Sequence, residues 1–107
     1  MSPENAAIGF HAMGSAARLT VLQALIRAGD EGLSVGDIQD RTGIAPSTLS
    51  HHIKMLVEAG VIEQERQGRS TITRAAYDHL RELADYILKE CCRDVEDPVA
   101  HFEQQEV

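Results

Sequence analysis

Apolar positions recur at helical spacing along most of the chain and switch once, near residues 61–74, to two short alternating runs. Glu4 to Met13 reads as a first helix, with Pro3 tolerated at its start. Ser15 is a cap for a second helix, in which Leu19, Leu22, Leu25 and Ile26 form an apolar stripe that Gly29 ends. Ala28 to Gly32 then reads as a loop. Ser34 with Asp37 three residues on resembles a capping box and opens a short third helix, Val35 to Arg41, with Val35 and Ile38 buried. Gly43 closes it, and Pro46 suits the first turn of a fourth helix running to Gly60.

Two short helices joined by a tight, glycine-containing turn read as a helix-turn-helix. On the fourth helix Leu49, Ile53, Leu56 and Val57 fall on one apolar face, while Ser47, His51, Lys54 and Glu58 lie opposite. "VIEQER" and "STITR", joined by "QGR" with Gly68 at the tip, read as a β-hairpin. Ala75 to about Cys92 reads as a last helix with Leu80, Leu83, Ala84, Ile87 and Leu88 along one stripe, continued by Cys91 and Cys92. The expected fold is mainly α with a β-hairpin wing, a winged helix-turn-helix. It occupies residues 1–94, and residues 95–107 are expected to be a loosely ordered acidic tail.

Composition at first opposes a nucleic-acid partner, because the 107 residues carry a net charge of −7 and phosphate contacts need Lys and Arg. Distribution removes the objection. Between Ala45 and Arg74 the cations Lys54, Arg66, Arg69 and Arg74 outnumber Glu58, Glu63 and Glu65, whereas nine acids crowd Ala75 to Val107. No run reaches the roughly 18 apolar residues of a membrane span, and "MSPENAAIGF" lacks the order of a signal peptide, so no membrane partner and a cytoplasmic location are expected. There a structural disulfide between the two cysteines is not expected, leaving metal-like binding, redox chemistry or packing. No nucleophile–base arrangement or phosphate-cradling glycine loop points to an enzyme, and no cofactor is called for in folding.

A recognition helix enters the major groove with short or polar residues at its N-terminus. Ser47, Thr48, Ser50, His51 and Lys54 supply them, and Arg66 and Arg69 flank the wing tip, where a phosphate or a narrow minor groove is within reach. Each has an ordinary alternative: hydroxyls near a helix start often cap it, Arg69 can be a solvated turn residue, and His52 lies toward the buried flank. The combination, in this order, favours double-stranded DNA.

"AMGSAARLTVLQAL" resembles the second-helix signature of the ArsR/SmtB family, a small-residue run followed by Arg18. "TGIAPSTLSHHIKMLVEAGVIEQERQGRSTI" is similar to that family's recognition helix and wing, including a Ser-x-His-aliphatic-Lys pattern at Ser50, His52, Ile53 and Lys54. The resemblance spans about Ile8 to Cys92. It implies a winged-helix homodimer formed by the first and last helices, a repressor bound to a pseudo-palindromic operator and released by an inducer.

Family members differ in where inducers bind. A Cys-Val-Cys arsenic site in the third helix has no counterpart, since "LSVGDI" places Ser34 and Gly36 there. A zinc site on the last helix is not expected, because Asp78 and His79 are adjacent and no His-x-x-His/Glu follows. Cys91-Cys92 resembles the vicinal pair of another arsenic-responsive branch, which implies trivalent arsenic or an organoarsenical as inducer. Soft trivalent arsenic selects thiolates. A third thiol is missing, so a small ligand, the partner subunit or a methylated arsenical must complete the shell. Packing of both cysteines at the dimer seam stays open beside this, as do a redox-responsive repressor and an interaction module without inducer.

Overall fold

The computed structural model describes residues 1–95, in the order α1 (Pro3–Met13), α2 (Ala16–Ala28), a 3-10 turn (Gly29–Glu31), β1 (Leu33–Ser34), α3 (Val35–Thr42), α4 (Pro46–Glu58), β2 (Ile62–Gln67), β3 (Ser70–Ala75) and α5 (Tyr77–Leu88). This is the expected winged helix-turn-helix. Of the tail expected at residues 95–107, all but Val95 lies outside the described residues.

Caps fix three of the helix starts. Ser2 Oγ accepts from Asn5 N at 3.1 Å, Ser15 Oγ from Arg18 N at 3.3 Å and Ser34 Oγ from Asp37 N at 3.1 Å, each satisfying an amide the helix leaves without a partner. Small residues then let α1 lie close to the core: Ala6, Gly9 and Ala12 are its buried positions. A Cβ on Gly9 would stand 2.8 Å from Leu83 Cδ1, so the absent side chain is what lets α1 and α5 meet there.

The core is built by Val21, Leu22 and Leu25 of α2, Ile38 of α3, Leu49, Ile53 and Leu56 of α4, Val61 and Ile62 at the root of the wing, and Leu83 of α5. It corrects two expectations. Leu19 and Ile26, expected on the stripe of α2, are 44% and 43% exposed, because the face that meets α3, α4 and the sheet is centred on Val21 and Leu25. Val35 is exposed as well, since it sits at the first position of α3, where the helix emerges from β1.

The wing holds one strand more than the hairpin. β1 pairs with β3 at Leu33↔Thr73 and Ser34↔Ile72, giving the antiparallel order β1-β3-β2. Gly32 makes that approach possible: its φ is +68°, and a Cβ would lie 2.6 Å from the Thr73 carbonyl oxygen. β2 and β3 stay in register from Ile62↔Ala75 to Gln67↔Ser70, which leaves Gly68-Arg69 as a two-residue turn with the glycine at φ +63°. Arg69 therefore stands at the tip rather than beside it.

The last helix is shorter than expected at both ends. Ala75 is held in the sheet opposite Ile62, so α5 starts at Tyr77, and it stops at Leu88. Cys91 and Cys92 thus follow the helix as turn residues and do not extend its apolar stripe, of which only Leu83 is fully buried.

Candidate nucleic-acid interface and thiol pair

Leu49, Ile53 and Leu56 anchor α4 to the core and fix which face it shows to solvent. That face carries Ser47, Thr48, Ser50, His51 and Lys54, all exposed. The helix start is bare: Ala45 is the N-cap and offers no side-chain acceptor, with Pro46 behind it. Among the described residues none of the Ser47, Thr48 and Ser50 hydroxyls is hydrogen-bonded to another residue, so the capping alternative does not account for them. An uncapped start of a 13-residue helix points free amides and hydroxyls outward, an arrangement that suits an anion.

At the wing both arginines are exposed. Arg66 Nε donates to the Gly68 carbonyl at 3.3 Å, which shapes the turn, while Arg69 occupies its outer corner. Arg74, nearer the root, is spent on structure: its Nη1 meets Glu65 Oε2 at 2.7 Å and its Nε donates to the Asp30 carbonyl at 3.1 Å, tying the wing to the 3-10 turn.

Behind α4 lies a contact that the spacing of residues did not reveal. Arg18 Nε donates to the Ala12 carbonyl at the end of α1, and its Nη1 approaches Met55 Sδ at 3.6 Å. The arginine of the second-helix signature therefore ties α1 to the back of the recognition helix. His52 lies in this neighbourhood, partly buried as expected, with Nδ1 inaccessible and without a partner among the described residues. Burial lowers its pKa, and the charges of Arg18 and His51 push the same way.

After α5 the backbone makes successive turns, Cys91 N to Leu88 O at 2.8 Å, Arg93 N to Glu90 O at 3.2 Å and Val95 N to Cys92 O at 3.0 Å. Cys92 adopts φ +61°, uncommon for a residue with a side chain. The two free thiols stand 3.3 Å apart, Cys91 exposed and Cys92 half-buried. Hydrogen bonding to Cys91 raises the Cys92 pKa, with burial and the Cys91 charge adding to it. Among the described residues no group of three or more His, Cys, Asp or Glu side chains could hold a metal ion. The same residues contain no helix long and apolar enough to cross a membrane.

Residues 13–65 match the family described as a helix-turn-helix domain, the stretch from the end of α1 into β2. With the wing, this makes the chain a winged helix-turn-helix protein with the fold of ArsR-type regulators. Among solved structures it is similar to an ArsR-like transcriptional regulator from Rhodococcus sp. RHA1, with a TM-score of 0.73 and 21% identity over 96% of this chain and 93% of that one. It is similar too to the homodimeric winged helix-turn-helix DNA-binding domain of Mb0332 from Mycobacterium bovis, a possible ArsR-family regulator, with a TM-score of 0.66 and 23% identity over 88% and 83% of the two chains. Among curated proteins it is 29% identical to YbzH of Bacillus subtilis (strain 168), an uncharacterized HTH-type transcriptional regulator, over 76% of this chain and 93% of that protein.

Proposed function

We propose that the chain is a DNA-binding transcriptional repressor, working as a homodimer through α1 and α5 and released from its operator by a trivalent arsenical at Cys91 and Cys92. The observation that carries the DNA-binding reading is the uncapped start of α4, where Ser47, Thr48 and Ser50 are exposed, without side-chain hydrogen-bond partners among the described residues, ahead of His51 and Lys54. In this reading α4 enters the major groove while Arg66 and Arg69 reach the flanking backbone. The likeness to YbzH and the Rhodococcus protein, both transcriptional regulators, supports it, and the homodimeric state of Mb0332 supports the dimer.

The inducer assignment rests on thiol chemistry. Two sulfurs 3.3 Å apart on adjacent residues can both reach one soft centre without a large backbone movement. A monomethyl arsenical with two hydroxyl groups takes both thiols, forming two As–S bonds and releasing two waters, and needs no third protein ligand.

The test begins with DNA selected by the wild-type protein from random duplexes and titrates the complex with methylarsenite, arsenite, antimonite, zinc and peroxide. Methylarsenite is expected to release the wild type, while Cys91→Ser and Cys92→Ser bind the duplex normally and no longer respond. A serine variant that still responds removes the thiol site; release by peroxide alone makes the protein a redox sensor. Failure to select any duplex removes the repressor reading itself.

A further inference from the structure

Arg27 and Arg41 are the basic residues in the last turns of α2 and α3. The two helices bring them to the rim of one concavity of about 330 Å³, also lined by Thr20, Gln23 and Thr42. A cation in a last turn complements the helix dipole, which accounts for either arginine alone but not for their convergence. Both are exposed, and among the described residues neither forms an ion pair. The threonines do not compete for them: Thr20 donates to the Ala16 carbonyl at 2.9 Å and Thr42 to the Ile38 carbonyl at 2.8 Å.

Thr42 connects the concavity to the link that precedes α4. Thr42 Oγ1 accepts from Ile44 N at 3.3 Å, inside the three-residue link that delivers Pro46. In helix-turn-helix docking the first helix of the pair crosses the sugar-phosphate backbone while the second enters the groove. Here α3 is that first helix, and Arg41 lies in its last turn.

Charge points the same way. Of the ten Lys and Arg residues, Arg18 is bound to the Ala12 carbonyl and Arg74 to Glu65, and Arg81, Lys89 and Arg93 belong to the acidic segment that begins with α5. Five remain for a polyanion: Lys54, Arg66, Arg69, Arg27 and Arg41. We infer that Arg27 and Arg41 form a phosphate clamp for the backbone of duplex DNA, positioning α4 without reading bases. The clamp rests on the DNA-binding reading above and adds to it contacts that neither the recognition helix nor the wing supplies.

The experiment measures binding of the full-length protein to labelled duplexes of several sequences by anisotropy, as log Kd against log salt concentration. Removing one arginine–phosphate pairing should lower the slope by about 0.9, so R27Q/R41Q in a two-fold dimer should lower it by about 3.6. At fixed low salt its affinity should fall by roughly tenfold or more on every duplex alike, since backbone contacts carry no sequence information. R27K/R41K, which keeps the charge, should retain most of the wild-type slope, and unchanged melting curves establish that both variants fold. An unaltered slope in R27Q/R41Q overturns the clamp while leaving the DNA-binding reading in place. A lysine variant as weak as the glutamine variant also overturns it, because charge would not be what the site supplies. If inorganic phosphate binds the wild type but not R27Q/R41Q while the salt slope is the same in both proteins, the pair is a small-anion site and the clamp is wrong. A wild type that binds no duplex at low salt removes both readings.

Discussion

His52 faces the back of its helix, with Nδ1 buried and without a partner among the described residues and Arg18 near it. Burial, then the Arg18 and His51 charges, all disfavour the imidazolium, so the folded pKa lies below the unfolded value of about 6.5. As pH falls below that value the unfolded chain takes up the proton first, and stability declines until the pH has passed the folded pKa. The melting temperature of the wild type should therefore drop between about pH 6.5 and pH 5 by more than that of His52→Gln, which loses the titrating group but keeps a polar side chain of similar reach. Equal pH dependence in the two proteins would remove His52 as the source. His52 matches the family pattern through Ser50, Ile53 and Lys54, yet it points away from the exposed set of Ser47, Thr48, Ser50, His51 and Lys54 and lies near Arg18. Sequence spacing places it on the buried flank but carries no sign of its neighbour, since the 33 residues between the two set no spacing that brings Arg18 to α4.

At the scale of elements, α1 meets α5 through an absence. Gly9 faces Leu83, whose methyl carbons would come within 2.8 Å and 3.0 Å of a Cβ, and Leu83 is buried. Gly9→Val should cost about 1–3 kcal/mol by overpacking, and Leu83→Ala about 2–5 kcal/mol by leaving a cavity. Combined, each relieves the other, so urea unfolding of the double variant should fall short of the sum by at least about 0.5 kcal/mol. Strict additivity would mean that the two helices do not meet there. Strong periodicity made α4 legible almost to the residue: Pro46 marks its start and Leu49, Ile53 and Leu56 its inner face. β1 was hidden because two residues, Leu33 and Ser34, are too few to show alternation, and their pairing with β3 is set by Gly32. The start of α5 was misplaced for a related reason. Ala75 is a good helix former, but its bond partner across the sheet, Ile62, decides its conformation. The hydroxyls of α4 were readable because they share one helix; Arg27 and Arg41 were not, because only tertiary packing brings separate helix ends together.

For the whole molecule the apolar surface left over is as informative as the core. Ile8 on α1 is 55% exposed, and Ile87 and Leu88 on α5 are 63% and 59% exposed, on two helices that already pack against each other. A domain of this length buries only about 60–65% of its unfolded surface, so burial between two copies is a large addition. Covering an aliphatic side chain fully is worth about 1.5–3 kcal/mol, and the proposed two-fold dimer through α1 and α5 would cover two copies of each residue. I87E/L88E should therefore weaken the dimer by at least about 100-fold in sedimentation equilibrium, since the two side chains together supply about 3 kcal/mol or more. Neither residue supports the monomer's core, so the helical signal and the melting of the isolated protomer should remain. DNA affinity should fall much further than any single contact explains, because a monomer holds one half-site where a dimer spans two, about one helical turn apart. A variant that stays dimeric would move the interface away from α5. One that becomes monomeric and still binds a two-half-site duplex as tightly as the wild type would show that each winged domain acts alone, leaving a ligand at Cys91 and Cys92, just beyond α5, no dimer arrangement through which to release DNA.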